Sequence, residues 1–266
     1  MATIKEERKE RRKKRKMRDI IEKVVACIEG DQEDKEYIGR VSYHVNAALN
    51  VTEWGKDIDV IFPAYMATML WNFSKTEVLL NVLMPGEQNK KIIQQILDII
   101  KLCKNLSIKP SDVKDDEIKD WMFYPRWAHF LENTGRFGLR RAFNIFGEDR
   151  LETPNTQKVK TRQELYDSVV TEKRFLKYKE TETSESFLDH LYDNVFHIRG
   201  EIYTDNSYII EKADKKHKLV EDFVIDCYEV ENILDVIEDY GLDELSNSII
   251  IYINKSDGEG GYLRRK

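Results

Sequence analysis

Residues 187–204 (FLDHLYDNVFHIRGEIYT) hold the densest set of groups that could move protons or bind a metal. Phe187, Leu191, Val195, Ile198 and Ile202 recur at helical spacing and form an apolar stripe. His190, Asn194, His197 and Glu201 follow one another at steps of four, three and four along one edge of that stripe, with Asp193 a little further round. Two imidazoles and a carboxylate on one helix face can supply part of a metal site. One helix rarely completes such a site, and the sequence identifies no further ligands. The expectation is therefore boundary histidines hydrogen-bonded to carboxylates, with no metal and no cofactor.

Residues 121–146 (WMFYPRWAHFLENTGRFGLRRAFNIF) interleave eight aromatic residues with Arg126, Arg136, Arg140 and Arg141. Aromatic faces stack on unpaired bases while guanidinium groups hold phosphate. The same mixture makes anchors in protein interfaces. Phe130 lies a helical turn from Trp127, and Leu139, Phe143 and Phe146 also recur at helical spacing, which is how core looks. Core packing is the first expectation. A protein interface built on Trp127, Arg136, Phe137, Arg140 and Arg141 is the second, and base stacking the third. The Asn133-Thr134-Gly135 turn, with Gly138 nearby, could leave backbone amides free for an anion.

The third candidate is electrostatic. Residues 1–18 hold ten Lys/Arg and three Glu, net +7, and the remaining residues hold 33 basic and 46 acidic ones, net -13. A basic arm on an acidic body predicts contact with a phosphate backbone through counterion release, using Arg8, Arg11, Arg12, Lys13, Lys14, Arg15 and Lys16. An acidic protein surface is the other partner such an arm fits. A membrane is not expected, because the arm offers only Met1, Ile4 and Met17 as an apolar face.

The stretch LYDNVFHIRGEIYTDN, followed by a second long helix, resembles HEPN domains. These are helical ribonucleases and defence proteins that carry an Arg, usually followed by Asn, and a His after four to six intervening residues. Arg199 matches the Arg. Gly200 stands where the Asn usually is, and Thr204, Asp205 and Asn206 occupy the positions where the His would fall. The resemblance covers under a fifth of the chain. It implies a helical hairpin and, as an alternative function, a nuclease whose candidate residues are Arg199, His197 and Glu201. On one helix His197 and Arg199 would point about 160–200° apart, which works against a shared substrate.

Other catalytic patterns are absent: there is no GxSxG, HExxH, GxGxxG or phosphate-loop sequence, and no kinase set. Ser111-Asp112-Val113-Lys114 matches SxxK by spacing but lacks its partner motifs, so Ser111 reads as a helix cap. Cys27, Cys103 and Cys227 form no CxxC pair and read as small buried hydrophobes.

The elements that must position these residues are mainly helical. Hydrophobic residues are 41%, charged residues 35%, and Gly (12) and Pro (5) are scarce. Helices are expected at 4–29 with Gly30 as a stop, at 35–49, as two buried helices over 57–84 with a break near Ser74, at 87–106, as a short acidic helix from Ser111 to about Trp121, at 163–178, at about 185–204 and at 207–240 before Gly241. Pro63 fits the first turn of its helix. The segment 248–254 (SIIIYIN) is the one expected strand, and an orphan strand must pair with another segment or another subunit. The expected organisation is a basic arm (1–18), a helical domain (19–146), an exposed loop or linker (147–162), a helical hairpin region (163–247), and a strand with a flexible basic tail (248–266).

Together these features predict a non-enzymatic helical assembly protein. It would be a homo-oligomer or a subunit of a nucleoprotein or viral-type (phage) particle, cytoplasmic or held within such an assembly. The abundance of Lys, Ile, Asn, Asp and Tyr also fits an AT-rich coding sequence, as in some bacteria and their phages. The alternatives are the HEPN-like nuclease and an adaptor whose Trp/Phe/Arg segment binds a protein.

Overall fold

The computed structural model describes residues 4–27, 32–112, 118–230 and 232–242. Among these residues the chain forms α-helices joined by 3-10 turns, with no strand. The expected strand at 248–254, the basic tail, the Gly30 stop and the middle of the expected acidic helix after Ser111 lie outside the described residues. The chain divides into two compact units, one ending at Arg126 and one running from Trp127.

The first unit contains α1 (Ile4–Cys27), α2 (Gln32–Asn50), α3 (Ile58–Met69), α4 (Thr76–Leu83) and α5 (Lys90–Lys104). Helix α3 is buried along eleven of its twelve residues and packs against α1, α2 and α5. A helix that is apolar on every side belongs in the centre, with amphipathic helices around it. Asp57 starts α3 by accepting the amide of Asp59. Pro63 is consequently the sixth residue of the helix rather than part of its first turn. Lacking an N–H, it cannot bond the carbonyl four residues before it.

Helix α4 is less buried than its hydrophobic composition predicts. Only Thr76 and Leu80 are buried, while Val78 and Val82 are exposed. Along α5 the inner face is Ile93, Ile96, Ile99, Leu102 and Cys103. Ile92 and Ile100, at the edges of that face, are half-buried.

The last turn of α5 is closed from a distance. Arg126 is buried and donates Nε to the carbonyl of Cys103 (3.1 Å), Nη1 to Ile108 (2.6 Å) and Nη2 to Leu102 and Asn105. The final carbonyls of a helix have no intrahelical partner, and one guanidinium here supplies several donors at once. Its face also lies 5.0 Å from the Phe123 ring centroid.

The second unit contains most of α6 (Tyr124–Glu132), then α7 (Gly135–Phe146), α8 (Arg162–Glu164), α9 (Glu172–Thr181), α10 (Phe187–Asp193), α11 (Ser207–Glu229) and α12 (Ile233–Asp239). Its core joins Leu139 and Phe143 of α7, Phe187 and Leu191 of α10, and Phe223 and Val224 of α11. Residues 147–162, expected as an exposed loop or linker, run inside this unit, with Thr156 and Val159 buried. The helix expected at 163–178 is α8, a π-helical turn over Leu165–Val169, and then α9. The helix expected at 207–240 is broken after Glu229 into α11 and α12. Gly138 has no alternative in its place, since a Cβ there would stand 2.4 Å from the carbonyl oxygen of Asn133.

Replacing Arg126 with Met keeps much of the side chain's apolar stem but removes every donor. The first unit should lose about 3 kcal/mol or more of stability, because buried carbonyls are left without that partner. A urea-unfolding midpoint close to that of the wild type would refute the capping role.

Candidate nucleic-acid interface

Helix α1 extends the basic segment into a rod rather than an unstructured arm, running unbroken from Ile4 to Cys27. Its C-terminal half buries Met17, Ile20, Ile21 and Val24. Arg8, Lys9, Arg11, Arg12, Arg15 and Lys16 are exposed. At about 100° per residue, the four apolar residues fall within an arc of about 100°, and five of these cations fall within about 140° on the other side, while Lys9 falls beside Ile20 and lines a pocket with Lys13, Glu53, Asp57 and Asp59. One helix therefore has a face for the body and a face for solvent, set by sequence spacing alone.

The seven expected contact residues divide into two groups. Lys13 lies on the body side and is tied to both carboxylate oxygens of Asp59. Lys14 pairs with Glu10 one turn back. Arg8, Arg11, Arg12, Arg15 and Lys16 make no ion pair among the described residues.

The histidine helix does not assemble. The expected helix over 185–204 is α10 followed, after Asn194, by a 3-10 segment from Val195 to Glu201. This changes the helical phase, but His190, His197 and Glu201 all still meet α9, through Tyr178, Phe175 and Lys179. His190 packs against Phe146 and Tyr178. His197 stacks on Phe175 with ring centroids 4.3 Å apart and the planes 6° from parallel. Glu201 faces Lys179 at 3.4 Å, and Arg199 is paired through Nε with Asp214. The three residues of the nuclease alternative are each engaged with a different neighbour. Among the described residues no group of three or more His, Cys, Asp or Glu could hold a metal.

Two polar clusters in this unit went unforeseen. Asp189 accepts from Thr156 (2.8 Å), Ser186 (2.7 Å) and Arg174 (2.8 Å). Arg174 also bonds Asp193 at 2.6 Å. Burial opposes ionisation of Asp189, but the hydrogen bonds from Ser186, Arg174 and Thr156 outweigh it and hold the carboxyl below its ordinary value. In the second cluster Tyr166, on the π-helical turn, donates to Glu221 and lies 2.6 Å from Nε2 of His217. Burial and the bond to Glu221 push the Tyr166 phenol up, so it acts as a donor and not as a nucleophile. The Ser186-x-x-Asp189 spacing of a helix start was the available sequence signal for the first cluster. The second joins residues 51 and 55 positions apart, and no local pattern marks it.

The aromatic–arginine segment is mostly structural. Trp127 is fully buried and therefore cannot anchor an interface as expected. Phe137 is half-buried with the Lys216 ammonium 5.7 Å from its ring centroid. Arg136 donates to the carbonyl of Gly241 at 3.0 Å, and Arg141 to the Asn133 side chain at 2.6 Å. Arg140 is half-buried. The Gly138 amide is used by the Thr134 carbonyl. Cys103 and Cys227 are buried as expected, and burial raises each thiol to about 12. Cys27 is exposed, because it follows the last buried turn of α1.

No protein-family model matches the chain. Over 141 residues it is 34% identical to the uncharacterised protein L803 of Acanthamoeba polyphaga mimivirus, a match covering 51% of this chain and 54% of that protein. The chain thus spans about half the length of this curated relative. Among solved structures it is similar to the Lin1889 protein of Listeria innocua, with a TM-score of 0.55 and 18% identity over 81% of this chain and 96% of that one. A Lactobacillus plantarum protein gives a TM-score of 0.47 at 14% identity. The Listeria likeness supports the helical architecture and nothing about activity. Part of the chain is similar to a viral protein. No helix among the described residues is long and apolar enough to cross a membrane.

Burial lowers the pKa values of His190, His197 and His217. Their folded values lie below the unfolded one of about 6.5. Their contribution to stability is complete above that pH and is lost as pH falls through it. Asp189 adds a second loss only below its unfolded value near 3.8. The melting temperature of the wild type should fall between pH 7 and pH 5, and His217→Gln should make that fall shallower. A melting temperature independent of pH over this range would contradict the assignment.

Proposed function

We propose that the protein is a non-enzymatic binding protein that holds a nucleic-acid backbone through α1, as a component of a nucleoprotein or viral-type assembly. The observation that carries this reading is the phase of α1. Its apolar stripe is consumed by the body, and five cations, Arg8, Arg11, Arg12, Arg15 and Lys16, face outward without ion pairs among the described residues. A bilayer would need the apolar face that the body already occupies. The similarity to a mimivirus protein supports the viral setting.

Binding rather than catalysis is favoured by the second unit. Arg199, His197 and Glu201 do not converge, being held by Asp214, Phe175 and Lys179. RNA cleavage that disappears in Arg199→Ala would reinstate the nuclease alternative.

Five phosphate contacts imply a slope of log affinity against log salt of about -4.5, or a loss of roughly 500-fold in affinity between 50 and 200 mM salt. Changing Arg8, Arg11, Arg12, Arg15 and Lys16 to Gln should bring the slope close to zero. Substitution is a cleaner test than deletion of 1–18, since Met17 is buried. Fluorescence anisotropy with labelled oligonucleotides reads both slopes. Equal binding by wild type and the five-site variant would remove α1 as the contact.

A further inference from the structure

The five outward cations of α1 are not one row. At about 100° per residue, Arg8 and Arg15 fall within about 20° of each other at the middle of the solvent face. Arg11 lies about 50° to one side of that line, and Lys16 about 90° to the other, with Arg12 between. Cations therefore look in three directions from one rod: to either side and straight out.

A flat polyanion surface would be touched by the middle of such a face only. A groove with a phosphate wall on each side uses all three directions. The charged stretch runs from residue 8 to residue 16, about 12 Å of helix axis at 1.5 Å per residue. An α-helix with side chains is about 10–12 Å across, and the major groove of B-form DNA is about 12 Å wide. The major groove of A-form RNA is too deep and narrow for side chains to read. A single strand presents no pair of walls.

The rest of the chain reinforces this choice. Residues 19–266 carry 33 basic and 46 acidic residues, so phosphate repels the body and contact is confined to the projecting face of α1. The ion pair between Lys13 and Asp59 fixes the body side of the helix.

On this basis, and resting on the nucleic-acid reading above, we propose that α1 binds double-stranded DNA by lying in the major groove. Lys16 reaches one phosphate wall and Arg11 the other. Arg8 and Arg15 point at the groove floor, where a guanidinium can donate to both O6 and N7 of a guanine.

The test compares labelled 20-base-pair DNA, the same sequence as an RNA duplex, and the single DNA strand, all at one salt concentration. A fourth probe is the DNA duplex with glucosylated hydroxymethylcytosine filling the major groove. The proposal expects DNA duplex to bind at least about tenfold tighter than the RNA duplex, the single strand or the groove-filled duplex. Netropsin in the minor groove should not compete. Arg8→Lys/Arg15→Lys should keep the salt slope while reducing the preference for duplex DNA several-fold, with an unchanged melting temperature showing that the fold is intact. Equal affinity for all four nucleic acids, or preference for the single strand, would overturn the groove assignment and leave the backbone-binding reading standing. No binding to any of them, or capture by phosphatidylserine vesicles instead, would overturn both.

Discussion

A chain that is nearly all helix must finish its helices, and the way it does so governs most of what is seen here. Each terminus exposes amides or carbonyls without partners. Side chains answer at several starts: Asp57 for α3, Thr161 for α8, Thr171 for α9, Ser186 for α10, Asn206 for α11 and Asn232 for α12. At the other ends Gly147, Glu182 and Gly241 take positive φ beyond α7, α9 and α12. Where the end of α5 is buried, local chemistry does not suffice and Arg126 is brought from 18–24 positions away. The Asp189 cluster follows the same rule. Ser186 caps α10, and Asp189 at the third helical position answers it and binds Arg174. What looks like a constellation of reactive groups is a helix start made secure inside a core.

The outward face of α1 depends on how its inner face is held. Burying Met17, Ile20, Ile21 and Val24 contributes about 1.5–3 kcal/mol per side chain. An exposed ion pair such as Lys13–Asp59 contributes about 0–1 kcal/mol. Apolar packing therefore holds the helix, and the ion pair adds orientation. Because the outer cations contribute little to this attachment, they are available for an external partner. They can also be neutralised without unseating the rod.

Periodicity made the helical class legible, and it placed α1, α2 and α5 closely, because each buries one stripe at a regular spacing. It failed where burial and regular spacing part company. The stripe of 187–202 continues through Val195 and Ile198, yet a 3-10 segment begins after Asn194. Apolar spacing of three or four residues fits a 3-10 turn almost as well as an α-turn. Trp127 shows the opposite error. The interleaved Arg126, Arg136, Arg140 and Arg141 gave it the look of an interface anchor, but Trp127 and Arg126 are both buried. The split of charge between arm and body was readable by counting. That Lys13 turns inward while Arg8 and Arg15 turn outward required the helix to be continuous back to the arm.

The ionisable groups of α1 and those of the second unit differ in one physical respect. In the second unit, ionisable groups meet partners inside the fold: Arg174 with Asp189 and Asp193, Arg199 with Asp214, and Tyr166 with Glu221. Their free energy is already committed to the folded state, so a ligand would have to displace a partner to use them. On α1 the exposed guanidinium groups are hydrated and screened, and what they gain on meeting phosphate is the release of condensed counterions. That gain is available without breaking anything in the protein. It also falls steeply with salt, and it is opposed by every acidic residue of the body that approaches the same phosphates. Binding driven this way would be held to the basic face of α1 and would be reversible without any change of fold.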